Sequence, residues 1–110
     1  MRRDYTHVLD AADGVIRAMD ADPAKLEHRV FNIASGRTVT AQQVASFVRS
    51  QVPNADIAIG DDLYAAEKVS IRTRGTLDIS RAERELGYKP RFDVESGIAQ
   101  YLGSLAEKRA

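Results

Sequence analysis

Tyr64 and Lys68 stand four positions apart in the stretch YAAEK. On a helix, side chains at i and i+4 share a face. An ammonium beside a phenol favours the phenolate, so such a pair can donate and accept a proton in turn. The simpler reading is a solvated turn with a surface lysine, because any Tyr meets a Lys at that spacing fairly often. Other chemistry is scarce. The chain has no cysteine, which removes thiolate nucleophiles, disulfides and Cys-based zinc sites. Its two histidines, His7 and His28, are too few for a metal site. No metal ligand set is expected.

The elements that would position these groups must come from 110 residues, enough for one domain, so residues 1–110 are read as a single unit. Hydrophobic residues make up 44%, which suits an ordinary core. Lys plus Arg number 16 and Asp plus Glu number 16, so the net charge is zero and nothing favours nucleic acid or an anionic membrane. There is no apolar run of spanning length, and MRRDYTHV lacks the apolar core of a signal peptide. A cytoplasmic location is the expectation.

Apolar spacing at Ala12, Val15, Ile16 and Met19 predicts a helix from about Asp10 to Asp20 with that stripe inward. His7 is expected in a short strand as a satisfied structural residue, and His28 as an exposed residue ahead of a strand. That strand is expected over residues 29–35, ended by Gly36. Thr40 and Gln43 fit a capping box that opens a helix carrying Val44, Phe47 and Val48, stopped before Pro53. DIAIG predicts a second strand, and TLD a third short one. Residues 61–75 read as a long loop with one helical turn at 63–68. Ser80 and Glu83 fit a second capping box, closed by Gly87. A last helix is expected from about Asp93, burying Val94, Ile98, Tyr101, Leu102 and Leu105. The pattern is α/β, about four helices with two to four short strands. So few strands make no self-sufficient sheet, so they pair outside the chain or belong to a larger fold.

Three stretches, in order and in register, carry a resemblance. RDYTHVLDAADGV, RVFNIASGRTVTAQQVASFV and GTLDISRAERELGYKPRFDVESGIAQYL are similar to the C-terminal, substrate-binding portion of the extended short-chain dehydrogenase/reductases, the NAD-dependent epimerase/dehydratase family. The resemblance covers nearly the whole chain. It implies an intact enzyme that transfers hydride to NAD(P) and acts on a nucleotide sugar or related polyol. The Rossmann core is absent here. The chain has neither G-x-G-x-x-G nor G-x-x-G-x-x-G, so it is expected to bind no cofactor itself. The family also uses a catalytic Y-x-x-x-K, but upstream of the segment matched. YAAEK falls in the wrong place, and no catalytic residue is assigned.

The same resemblance implies the substrate contacts. The Arg of the family's R-D-[YF] reaches a substrate phosphate, which puts Arg3 in that role, with a salt bridge to Asp4 or Asp10 as the alternative. Asp4 and Tyr5 are expected to hold the turn and pack. The family's second phosphate clamp, an Arg ten residues before the Asp of D-x-S-x-A, lands on Lys68, and the acid three residues later is replaced by Ile71. Lysine offers a point charge without a bidentate fork. Arg72 or Arg74 can substitute, and a substrate without a nucleotide stays open. Two readings follow. The first is the substrate-binding portion of an NAD(P)-dependent epimerase, dehydratase or dehydrogenase, working with an N-terminal Rossmann domain and inactive alone. The second is a stand-alone relative that acts as a homodimeric interaction module, its unpaired strand inviting a second chain.

Overall fold

The computed structural model describes residues 2–60 and 64–109. In chain order the elements are β1 (Arg2–Arg3), α1 (Val8–Asp20), a 3-10 turn (Pro23–Lys25), β2 (Val39–Thr40), α2 (Ala41–Gln51), α3 (Ala65–Thr73), α4 (Ser80–Leu86) and α5 (Val94–Arg109). The α/β class holds, with five α-helices among the described residues. β1 and β2 pair antiparallel, Arg2 with Thr40 and Arg3 with Val39. This small ladder ties the start of the chain to the start of α2. Helices α1 and α4 pack together, as do α2 and α5.

Helix α1 begins at Val8, two residues earlier than expected, because His7 caps it rather than lying in a strand. The Leu9 N–H donates to His7 Nδ1 at 3.0 Å. Its apolar stripe is a clear correction. Ala12, Val15, Ile16 and Met19 all face solvent, Met19 at 78% exposure. The buried positions are Asp10 and Gly14. Two packing demands turn the helix this way. Gly14 lets the backbone approach Ile33 so closely that a Cβ there would sit 2.5 Å from Ile33 Cγ2. Asp10 is 1% exposed and its two carboxylate oxygens accept the backbone N–H groups of Arg91 and Phe92, each at 3.0 Å.

None of the three expected strands forms. Residues 29–35, 56–60 and 76–78 carry no ladder; the pairing that exists runs through β1 and β2 instead. Strand-favouring side chains straighten a segment, but a strand needs a neighbour to exchange hydrogen bonds with. Residues 30–33 have no such neighbour among the described residues. The helical turn expected at 63–68 is a full helix, α3; Leu63 lies outside the described residues. Tyr101 is 60% exposed rather than buried, while Val94, Ile98, Leu102 and Leu105 are half-buried.

Local signals fare better. Thr40 Oγ1 accepts from Gln43 N–H, and Gln43 Oε1 accepts from Thr40 N–H, so the capping box opens α2 as expected. At α4 the capping group is Asp78, not Ser80: its Oδ1 accepts the Ser80 N–H at 2.9 Å. Gly87 takes φ 65° after α4. A side chain there would be strained in that left-handed conformation. At α5, Asp93 Oδ1 accepts the Ser96 N–H, and Ser96 Oγ accepts the Asp93 N–H. The core joins Ala82, Leu86 and Tyr88 to Ala21, Leu26, Phe31, Ile33 and Ile79. The Tyr88 hydroxyl donates to the Ala34 carbonyl at 2.7 Å. Burial, helped by Asp10, Asp4 and Asp13, pushes its pKa up to about 12.

The capping carboxyls predict an acid response. The backbone N–H of Ser80, then its side chain, hold Asp78 below the ordinary carboxyl value; Ser96 does the same for Asp93. A lowered folded-state pKa gives stability that is present above the ordinary value of 3.8 and lost as pH falls through the lowered one. Circular dichroism titrated downward from neutrality should therefore hold steady and lose helical signal only at acid pH. Asp78→Asn and Asp93→Asn should each flatten part of that loss.

Candidate functional site

The charged cleft lies where β1 meets the C-terminal end of α3. A cavity of about 380 Å³ is lined by Arg2, Arg3 and Asp4 from one side and by Ser70, Thr73 and Arg74 from the other. The ladder to β2 fixes Arg2 and Arg3. Asp4 is fixed next to them. Its carboxylate accepts the Ser35 and Gly36 N–H groups and the Ser35 hydroxyl. That clamps the turn in which Gly36 takes φ 76°. Asp4 is thus committed to the fold. Among the described residues, none of the three arginines forms an ion pair.

The α3 side is also set by local bonds. Tyr64 N–H donates to Glu67 Oε2 at 2.9 Å, which opens the helix. Arg74 N–H closes it on Ser70 O at 2.8 Å. Ser70 and Thr73 hydroxyls donate back to the carbonyls of Ala66 and Val69, so their protons are committed within the helix. Three guanidiniums against one committed carboxylate make a site suited to an anion with several oxygens.

Of the four cations singled out in the sequence, the fold brings together Arg3 and Arg74. Lys68 and Arg72 are exposed on α3 and do not line the cavity. Arg2 was not singled out, and its place next to Arg3 in the sequence was the available signal. Tyr64 is 82% exposed at the start of α3, and its link to Lys68 is the backbone bond from Lys68 N–H to Tyr64 O. His7 is held between Leu9 N–H and Gln100 Oε1, 2.8 Å from its Nε2, and stacks on Phe92 with centroids 4.2 Å apart. Since Nδ1 accepts, the proton sits on Nε2. His28 is half-buried rather than exposed: its Nδ1 lies 2.6 Å from Glu85 Oε2, and the Glu27 and His28 N–H groups donate to Glu85 Oε1. Among the described residues no cluster of His, Asp or Glu is arranged to hold a metal. Among them, too, no helix is long and apolar enough to cross a membrane.

No family model matches the chain. Individual proteins do. The chain is 32% identical over 98 residues to Probable GDP-L-fucose synthase 1 of Oryza sativa subsp. japonica, covering 89% of this chain and 27% of that protein. It is 29% identical over 92 residues to the UDP-glucose 4-epimerase of Rhizobium meliloti, covering 84% and 27%. Its fold superposes on the L-threonine dehydrogenase of Clostridium difficile with a TM-score of 0.78 and 26% identity, covering 97% of this chain and 33% of that one. The chain spans about a third or less of the length of the proteins it matches. Sequence and fold together define an α/β portion of a larger dehydrogenase-type architecture. The chain is similar to a portion of the extended short-chain dehydrogenase/reductases of the epimerase/dehydratase type.

Proposed function

We propose that this chain is the substrate-binding portion of an NAD(P)-dependent epimerase, dehydratase or dehydrogenase, and that Arg3 and Arg74 hold the anionic end of its substrate. The convergence of these two arginines on one cavity, one from β1 and one from the end of α3, is the observation that carries the reading. The substrate class taken from the named relatives is a nucleotide sugar. Its diphosphate would meet guanidiniums able to form bidentate bonds. The cofactor is placed outside this chain. In support, Gly14, Gly36, Gly87 and Gly97 each back onto this chain's own side chains, and no glycine-rich turn opens a helix. Residues that orient the substrate while others supply the chemistry would make the chain inactive alone.

A second reading is a smaller substrate bearing a carboxylate. Lys68 and Arg72 lie outside the cavity, Ile71 replaces an acid, and the neighbour in fold is an L-threonine dehydrogenase. Calorimetry with UDP-glucose and with L-threonine separates the two. With the preferred ligand, Arg3→Ala and Arg74→Ala should each weaken binding by about 10- to 100-fold, the range for a charge-assisted contact. Lys68→Ala and Arg72→Ala should stay within about twofold. Equal losses at all four positions, or binding indifferent to Arg3 and Arg74, would remove the cleft from consideration.

A further inference from the structure

The turn at residues 34–36 is gripped from two sides. From the core, the Tyr88 hydroxyl donates to the Ala34 carbonyl at 2.7 Å. From the residue after β1, the Asp4 carboxylate accepts the Ser35 N–H at 3.0 Å and the Gly36 N–H at 2.9 Å, together with the Ser35 hydroxyl. Ala34 and Tyr88 are each 1% exposed, so solvent does not readily take over a bond lost there. Burial pushes the Tyr88 pKa up to about 12, and the hydroxyl keeps its proton through the neutral range. Gly36 then takes φ 76°, where a Cβ would also stand 3.2 Å from Ile79 Cδ1. The Arg37 N–H donates to Ser35 Oγ at 3.2 Å and carries the hold one residue further.

Three residues past Gly36 stands Val39, the ladder partner of Arg3. A ring is thereby closed. Arg3 pairs with Val39, and the next residue, Asp4, binds the turn that leads into Val39. Each strand of this ladder has two residues, too few to keep its place without support. The turn supplies that support, so Arg3 stands where the turn puts it. Arg74 is seated differently, by the bond from its N–H to Ser70 O at the end of α3. A bidentate guanidinium contact is sensitive to displacements of about 1 Å.

We propose that Tyr88 is a positioning residue for the arginine cleft, acting through Ala34 and the turn at 34–36 to set where Arg3 stands. The proposal rests on the reading of that cleft as the anion site of the substrate. Neither Tyr88 nor Ser35 lines the cleft, so neither touches what it holds.

Calorimetry on the 110-residue chain tests this, with UDP-glucose and L-threonine as the probes. Tyr88→Phe keeps the ring in the core, removes only the donor, and should weaken binding of the preferred probe by about tenfold. Ser35→Ala, a smaller change at a half-buried site, should weaken it in the same direction. Leu105→Ala, on α5 and outside the cleft, should leave binding within about twofold while lowering thermal stability. The arginine backgrounds then decide between positioning and general loosening. With Arg3→Ala already present, Tyr88→Phe should cost less than about twofold; with Arg74→Ala present, it should keep its full effect of about tenfold. Equal losses in both backgrounds overturn the proposal, because the hydroxyl then acts on the fold at large. Arg3→Ala weakening binding while Tyr88→Phe and Ser35→Ala do not overturns it as well, and leaves the cleft reading standing. If neither probe binds, or both arginine variants bind normally, the cleft reading fails and takes this proposal with it.

Discussion

Asp10→Ala is expected to destabilise the fold by about 3 kcal/mol or more, enough to consume a large part of the stability of a chain this size. The carboxylate is 1% exposed, and each oxygen accepts one backbone N–H, from Arg91 and from Phe92. Arg91 Nε lies 3.8 Å from Oδ1, a weak contact at a mostly exposed side chain. The two amides therefore carry the interaction. A hydrogen bond to a charged acceptor contributes about 1.5–3 kcal/mol, and an amide left buried without a partner costs about 1–3. Alanine incurs both losses at once. Asparagine keeps one acceptor oxygen but turns an amide group toward the second N–H, so Asp10→Asn should lose roughly half to all of the same amount. Arg91→Ala should cost under about 1 kcal/mol, because its backbone N–H survives. Urea unfolding of the three variants checks the order; an Arg91→Ala loss as large as that of Asp10→Ala would mean the ion pair, not the amides, holds this junction.

Asp10 also shows where sequence reading stopped. Its place at the head of α1 was legible, but its partners lie more than eighty positions away, and no local pattern points to them. The capping pair Thr40 and Gln43, Gly87 after α4, and Asp93 ahead of α5 were all legible, because each acts within four residues. The stripe of α1 was legible as a period and misleading as a direction. Periodicity says which face would gain from burial; it does not say whether this chain supplies anything to bury it against. The expected strand over 29–35 failed for the same reason, since its side chains suit a sheet and its free edge has no neighbour among the described residues. The cleft was half legible. The family resemblance nominated Arg3 and Lys68, with Arg72 or Arg74 as substitutes for Lys68, and only the fold gathers Arg3 and Arg74 on one cavity.

Gly14→Ala should cost about 1–3 kcal/mol, although alanine is the better helix former by about 1 kcal/mol. The two effects oppose each other, and the contact decides the sign. The added Cβ would stand 2.5 Å from Ile33 Cγ2 and 2.9 Å from Ile33 Cδ1, far inside van der Waals separation. Ile33 is half-buried against the core that contains Tyr88 and Leu86, so it has little room to withdraw. Helix and segment must move apart, and that also lengthens the Asp10 bonds at the start of the same helix. Ile33→Ala alone should cost about 2–3 kcal/mol as a large-to-small change at a partly buried site. The informative variant is the pair. With Ile33 cut back to alanine, the Gly14 methyl finds space, and the helix propensity of alanine becomes a gain. The double variant should therefore be no less stable than Ile33→Ala, giving a coupling of at least about 1 kcal/mol in its favour. Additive losses would show that α1 does not ride on residue 33.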